Sequence, residues 1–105
     1  MRHSGTWMTV WDDRILEYIR ETEGESASVG ELANSDIIHV SNSHVSRRCR
    51  KLAEKGLLLP LGNGVYGMTD EGEAYLDGEY NAEEEAYING NGENNGPTAS
   101  ETGDI

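Results

Sequence analysis

The chain has 105 residues, 20 acidic and 8 basic, for a net charge of −12. A field of that sign repels phosphate and argues against a general nucleic-acid binder. The length suits one domain, and the single cysteine, Cys49, excludes an internal disulfide; with no apolar run long enough for a bilayer and no basic-then-apolar leader, a cytoplasmic protein is expected.

Met1–Met8 shows no pattern and reads as an unstructured extension over residues 1–8. Thr9, with Asp12 three residues on, resembles a capping box. Trp11, Ile15, Tyr18 and Ile19 then follow helical spacing, with Leu16 beside them, and predict a helix over Val10–Glu21. Asp12 and Asp13 in its first turn suit the helix dipole. Thr22–Glu25, centred on Gly24, is a polar turn, and Ser26-Ala27 can form a very short strand. Ser28 with Glu31 is a second capping box, opening a short helix from Val29 to about Ser35 that packs Val29, Leu32 and Ala33. Ile37, Ile38 and Val40 make an apolar turn into the next element.

That element, Ser41–Lys55, differs from the rest of the chain. It holds five bases and one acid, a net +4, whereas the remainder holds three bases and nineteen acids, a net −16. Val45, Cys49, Leu52 and Ala53 recur on one helical face. Ser41 can cap its start and Gly56 can end it in a left-handed conformation. At ~100° per residue, Ser43, Arg47, Arg50 and Lys51 face away from the apolar stripe, with His44 at the margin. Cys49 sits on the packing stripe and reads as a small buried hydrophobe. A helix that packs one side and presents short polar residues and arginines on the other is what the DNA major groove accepts.

Leu57–Leu61 and Val65–Met68 flank Gly62-Asn63-Gly64 and predict a β-hairpin. Pro60 restricts the first strand to an edge position or places the residue at the strand's end. Thr69 caps a last helix, with Asp70 and Glu71 in its first turn and Tyr75 and Leu76 as its main apolar residues, ending near Gly78–Tyr80. Asn81–Ile105 carries six acids, no bases and many Asn and Gly; too little apolar surface is present to offset ordering entropy, and a disordered acidic tail over residues 81–105 is expected.

The order helix, short strand, helix, helix, hairpin, helix is the winged helix-turn-helix layout, mainly α with a small β-hairpin (α+β), over residues 9–80. The stretch His39–Leu58, then Pro60–Tyr66 and Thr69–Tyr80, closely resembles haloarchaeal winged-helix proteins of the halophage phi-H repressor-like kind, and more distantly MarR- and PadR-type regulators. The acid-rich, Lys-poor composition, with six Arg to two Lys, fits a salt-in cell. The resemblance implies a sequence-specific double-stranded DNA-binding regulator, a repressor acting as a homodimer. Carried over by position, helix 42–55 enters the major groove with Ser43, His44 and Arg47 reading bases; Arg48, Arg50, Lys51 and Asn63 are the phosphate contacts. The wing tip carries no Arg or Lys, so a weak wing contact is expected. Trp7, Trp11, Tyr75 and Tyr80 are candidates for a dimer interface or, equally, for the monomer core.

No nucleophile–base pair or phosphate loop points to an enzyme. His39, His44 and Cys49 lack the paired spacing of a zinc site, and no metal or cofactor is expected. The rival reading is a winged-helix protein-interaction module that does not bind DNA; the basic face of helix three is the feature such a module does not need.

Overall fold

The structure, a computed structural model, describes residues 1–88. In chain order it contains α1 (Val10–Glu21), β1 (Ser26–Ser28), α2 (Val29–Ala33), α3 (Asn42–Glu54), β2 (Leu58–Gly62), β3 (Val65–Met68), α4 (Asp70–Leu76), β4 (Tyr80–Asn81) and β5 (Ala86–Tyr87), with a 3-10 turn at Glu23–Glu25 before β1. The winged-helix order expected from the sequence is present. α2 is shorter than expected, closing at Ala33 with Asn34 as its cap.

The caps follow the sequence. The Thr9 N–H donates to Asp12 Oδ2 at 2.9 Å. Ser28 Oγ accepts from the Glu31 N–H, Ser41 Oγ from His44 and Thr69 Oγ1 from Gly72. Each supplies a partner for a first-turn amide that the helix leaves free. Gly56, at φ 82°, takes the left-handed conformation that ends α3.

One core joins the elements. Ile15, Leu16 and Ile19 of α1, Leu32 of α2, Val45, Cys49 and Leu52 of α3, Leu57 before β2, and Tyr75 of α4 are fully buried together. β1, β3 and β2 form an antiparallel sheet in that spatial order, so β2 is an edge and accommodates Pro60. The register pairs Ala27 and Pro60 with Tyr66 on either side, and a bulge between Pro60 and Gly62 displaces Leu61. Gly62, Asn63 and Gly64 all have positive φ (100°, 56° and 74°), which is why the wing tip is built of Gly and Asn. The Val29 N–H donates to the Gly64 carbonyl at 2.9 Å, pinning the wing tip to the start of α2.

Both ends of the described residues depart from expectation. Residues 1–8 are not an unstructured extension. His3 bridges Asn81 in parallel, and the His3 carbonyl accepts from the Ala82 N–H. Arg2 Nε donates to the Leu76 carbonyl at 3.1 Å and its NH1 to Glu17, while Ser4 Oγ and Tyr75 OH lie 2.9 Å apart. Thr6 donates through N–H and Oγ1 to Glu83 Oε1 at 2.6 and 3.0 Å. The side-chain bonds among these join residues up to 77 positions apart, and polar pairs of that separation leave no local periodicity in the sequence.

Nor does order end at Asn81. β4 and β5 form a small hairpin closed by edge-to-face packing of Tyr80 and Tyr87, centroids 5.1 Å apart. Asn81 Oδ1 accepts from the Glu83 and Glu84 amides, so one side chain organises an acidic turn. The rest of the expected tail, residues 89–105, lies outside the described residues.

Candidate nucleic-acid interface

α3 buries Val45, Cys49 and Leu52 and leaves Ser43, Arg47 and Arg50 exposed, with His44 and Lys51 half-buried at the flanks. The burial that fixes the helix also silences its thiol. Loss of hydration, with the nearby Asp12 charge, pushes the Cys49 pKa up to about 12, so Cys49 is a protonated apolar filler.

The distribution of ion pairs sorts the cations. Arg2 pairs with Glu17 and Asp13, Arg14 with Glu17, Arg20 with Asp77, Lys51 with Glu54 at 3.9 Å and Lys55 with Glu85 at 3.6 Å. Lys55 also lies 5.6 Å from the centre of the Trp7 ring. Among the described residues, Arg47 and Arg50 are the two basic side chains without a carboxylate partner. Both stand on the outward face of α3. Arg50 NH1 donates to Ser46 Oγ at 2.8 Å, a neutral i,i+4 contact that holds the guanidinium beside the helix without discharging it.

Arg48 is engaged within the fold. Its Nε donates to Asp12 Oδ1 at 2.8 Å and its NH2 to Asp12 Oδ2 at 2.7 Å, with a further bond from NH2 to the Trp7 carbonyl at 2.9 Å. Asp12 is fully buried and the Arg48 side chain is 19% exposed. Such a bidentate pair occupies the Nε–Nη2 edge of the guanidinium, and with the bond to Trp7 it fastens α3 to the start of α1. The pair was missed because Asp12 was accounted for as a capping residue, although its second oxygen remains free for another donor. Arg48 also lies on the flank of the apolar stripe and not opposite it, which is the signal that could have found the contact.

Three open depressions converge on Arg50. One, between α2 and α3, is lined by Val29, Asn42, Ser43, Ser46, Arg47 and Arg50. A second lies on the outer face among Arg47, Arg48, Arg50, Lys51 and Glu54. The third runs between α3 and the wing. Ser43, Arg47, Arg50 and Lys51 therefore form one continuous surface, with His44 at its α1 side. Asn63 stands apart at the exposed wing tip.

The aromatic candidates divide. Tyr75 is fully buried and Tyr80 nearly so, which places both in the monomer core. The Tyr75 hydroxyl donates to Asp13 Oδ1 at 2.6 Å; burial, then this bond, raises its pKa. Trp7 is tucked between Lys55 and the Ala82 carbonyl, and Trp11 packs edge-on against His39, centroids 6.0 Å apart. No helix among the described residues is long and apolar enough to cross a membrane.

Residues 1–86 match the family model of the winged helix-turn-helix phage repressor. The repressor protein of Halobacterium phage phiH is 36% identical over 76 residues, covering 70% of this chain and 83% of that protein. The crystal structure of the PhiH1 repressor-like protein from Haloarcula marismortui superposes with a TM-score of 0.80 at 61% identity, covering 84% of this chain and 98% of that one.

Proposed function

The chain belongs to the winged helix-turn-helix phage repressor family, and from that premise we propose that it is a sequence-specific double-stranded DNA-binding repressor that reads the major groove with α3. The observation that carries this reading is the pair Arg47 and Arg50. In a chain of net charge −12, the two cations without a carboxylate partner among the described residues stand together on the exposed face of one helix. A surface that served only solubility would not need them there.

Arg47 is the base reader, with a fork suited to guanine O6 and N7. Ser43 and His44, nearer the helix start, contact adjacent base edges. Arg50 and Lys51 hold phosphates, with Asn63 reaching the backbone from the wing; these contacts set register and do not themselves select sequence. The surrounding acids suppress binding to DNA in general, so the contrast between specific and non-specific sites comes partly from repulsion. Binding as a homodimer to half-sites one helical turn apart completes the proposal. Its subunit contact excludes Tyr75 and Tyr80, which the monomer consumes.

The test is titration of labelled duplexes from the DNA upstream of the gene, with a scrambled duplex as competitor. Retention of one duplex by the wild-type protein, lost in Arg47→Ala/Arg50→Ala with the fold intact, is the expected result. Equal affinity for all duplexes, or equal affinity of the variant, overturns the reading.

A further inference from the structure

We propose that the outer face of the wing seats a second copy of this chain, with Leu59 and Leu61 of each copy entering a glycine-floored trough on the other. This rests on the reading of α3 as the DNA-facing helix and names the contact of the proposed dimer.

β2 and β3 turn one face toward the core and the other outward. Leu58 and Tyr66 are buried on the inner side. Leu59, the register partner of Gly67, lies on the outer side, and Leu61, at the bulge between Pro60 and Gly62, lies there with it. Both leucines are exposed, by 53% and 54%, and a shared apolar surface of that kind marks a contact site more than a lone exposed leucine does. With Met68, Gly67, Gly24 and Glu25 they line an open trough of about 520 Å³. Gly67 is its floor. A Cβ there would stand 3.2 Å from Leu61 Cδ1 and 3.7 Å from the Glu25 carbonyl, so the absence of a side chain is what lets Leu61 lie close over the strand.

The chemistry of the face selects the occupant. Pro60 has no N–H to give at the β2 edge, which disfavours extension of the sheet by another strand. Residues 89–105 have three acids, no base and one large apolar side chain, Ile105; they offer the leucines little, and Glu25 repels their charge. A second copy brings what the trough lacks, two leucines presented beside an identical trough, as a two-fold contact requires. Removal of apolar surface from water drives it.

Size and spacing agree with this occupant. Six residues line the trough, against ~20–30 a side in a standard interface. Such a contact does not hold a dimer in dilute solution and acts once DNA has brought two copies together. Packed layers stand about 10 Å apart. Two copies stacked on this face run α3, sheet, sheet, α3, which sets the two helices roughly 30 Å apart. Half-sites one turn apart are ~34 Å between centres, so a contact at the outer wing suits the operator spacing of the proposed function.

The experiment titrates wild type and Leu59→Ser/Leu61→Ser against two duplexes from the upstream DNA, one holding the whole protected site and one cut to half of it. Sedimentation velocity gives the state of the free protein. Bismaleimide crosslinking of Leu61→Cys reports the contact itself; Cys49 does not compete, because burial pushes its pKa up to about 12.

Wild type is expected to sediment as a monomer and to fill the whole site steeply. The double variant should keep the wild-type Tm and half-site affinity, yet need on the order of 30-fold more protein to fill the whole site. Leu61→Cys should crosslink on the whole-site duplex and not on the half-site. The preference of wild type for the whole site should grow from low to molar potassium chloride, because salt screens the repulsion between two chains of net charge −12. A double variant that fills the whole site as wild type does overturns the contact while the function reading stands. So does the absence of a crosslink on the filled whole site, or a free dimer that survives Leu59→Ser/Leu61→Ser. A preference that falls with salt overturns its apolar character. Failure of wild type to retain any duplex refutes the function reading and the contact together.

Discussion

Replacing Arg48 by Met separates a structural arginine from a DNA-contacting one. The substitution keeps most of the stem and removes three hydrogen bonds, two to Asp12 and one to the Trp7 carbonyl. Asp12 then remains fully buried and keeps the hydrogen bond from the Thr9 amide. Breaking one side of a buried ion pair costs roughly 3–5 kcal/mol, because the remaining charge stays desolvated. Arg48 is 19% exposed, so water can enter to relieve Asp12, and the expected loss is at the low end, about 3 kcal/mol. For a domain of this size that lowers Tm by on the order of 15 °C. Thermal unfolding followed by circular dichroism at fixed salt measures it. The loss should persist in molar salt, since a buried pair is screened far less than a surface one. Arg48→Met/Asp12→Leu should recover much of the stability, because removing both partners leaves no orphaned charge. A Tm within about 2 °C of wild type, combined with a salt slope of DNA binding reduced by about 0.9, would refute this reasoning and return Arg48 to the phosphate contacts.

Deleting residues 1–8 should lower Tm by several degrees, because it removes the Arg2, Ser4 and Thr6 bonds to Glu17, Tyr75 and Glu83; an unchanged Tm would mean the arm contributes nothing to the fold. Tyr75→Phe deletes the bond to Asp13 and the contact with Ser4 and should cost about 1–2 kcal/mol, visible as a shift of the urea midpoint without a change in m. The thiol of Cys49 should stay unmodified by an aromatic disulfide reagent at pH 8 until denaturant is added, since burial holds its pKa at about 12; rapid native labelling would contradict the buried placement. Acid should loosen the arm. Burial alone would raise Glu17, but the Arg2 hydrogen bond and charge outweigh it and hold the carboxyl below the usual range, and Thr6 does the same for Glu83. Both pKa values are lower folded than unfolded, so their stabilisation is present above the ordinary glutamate range and is lost as pH falls through the folded values. Hydrogen exchange of the Thr6 amide should therefore accelerate on acidification beyond its intrinsic trend, and Glu17→Gln should blunt the effect at the Arg2 end.

The elements with strong periodicity were legible in the sequence. α1 and α3 were expected with boundaries within a residue of those observed, because Ile15, Leu16 and Ile19, and Val45, Cys49 and Leu52, fill a single core from two helical stripes. The hairpin was legible because Gly62-Asn63-Gly64 permits a turn that few other residues allow; Pro60 allowed an edge strand or a strand end, and the order β1-β3-β2 decides for the edge. What escaped were interactions without a local signature. The Asp12–Arg48 pair spans 36 positions, and a helical wheel places Arg48 at a flank without naming its partner. Much of the arm's attachment is polar, through bonds to α1, α4 and the segment from β4 to Glu83, which no hydrophobic pattern announces. Tyr80 and Tyr87 close a hairpin within a stretch whose acidic composition suggested no structure, since one aromatic pair and an Asn-capped turn suffice for so short a ladder. The basic face was visible as composition, but which of its arginines are free depended on where the carboxylates fold, and that selection reduces the arginine candidates to Arg47 and Arg50.

The most direct test of the central claim is a footprint titration across the upstream DNA with wild type and Arg47→Ala/Arg50→Ala, both verified as folded. Wild type is expected to give a bounded protected site and the variant none over the same concentration range. Protection of that site by the variant at the wild-type concentration would contradict it, because the two arginines would then not hold the DNA.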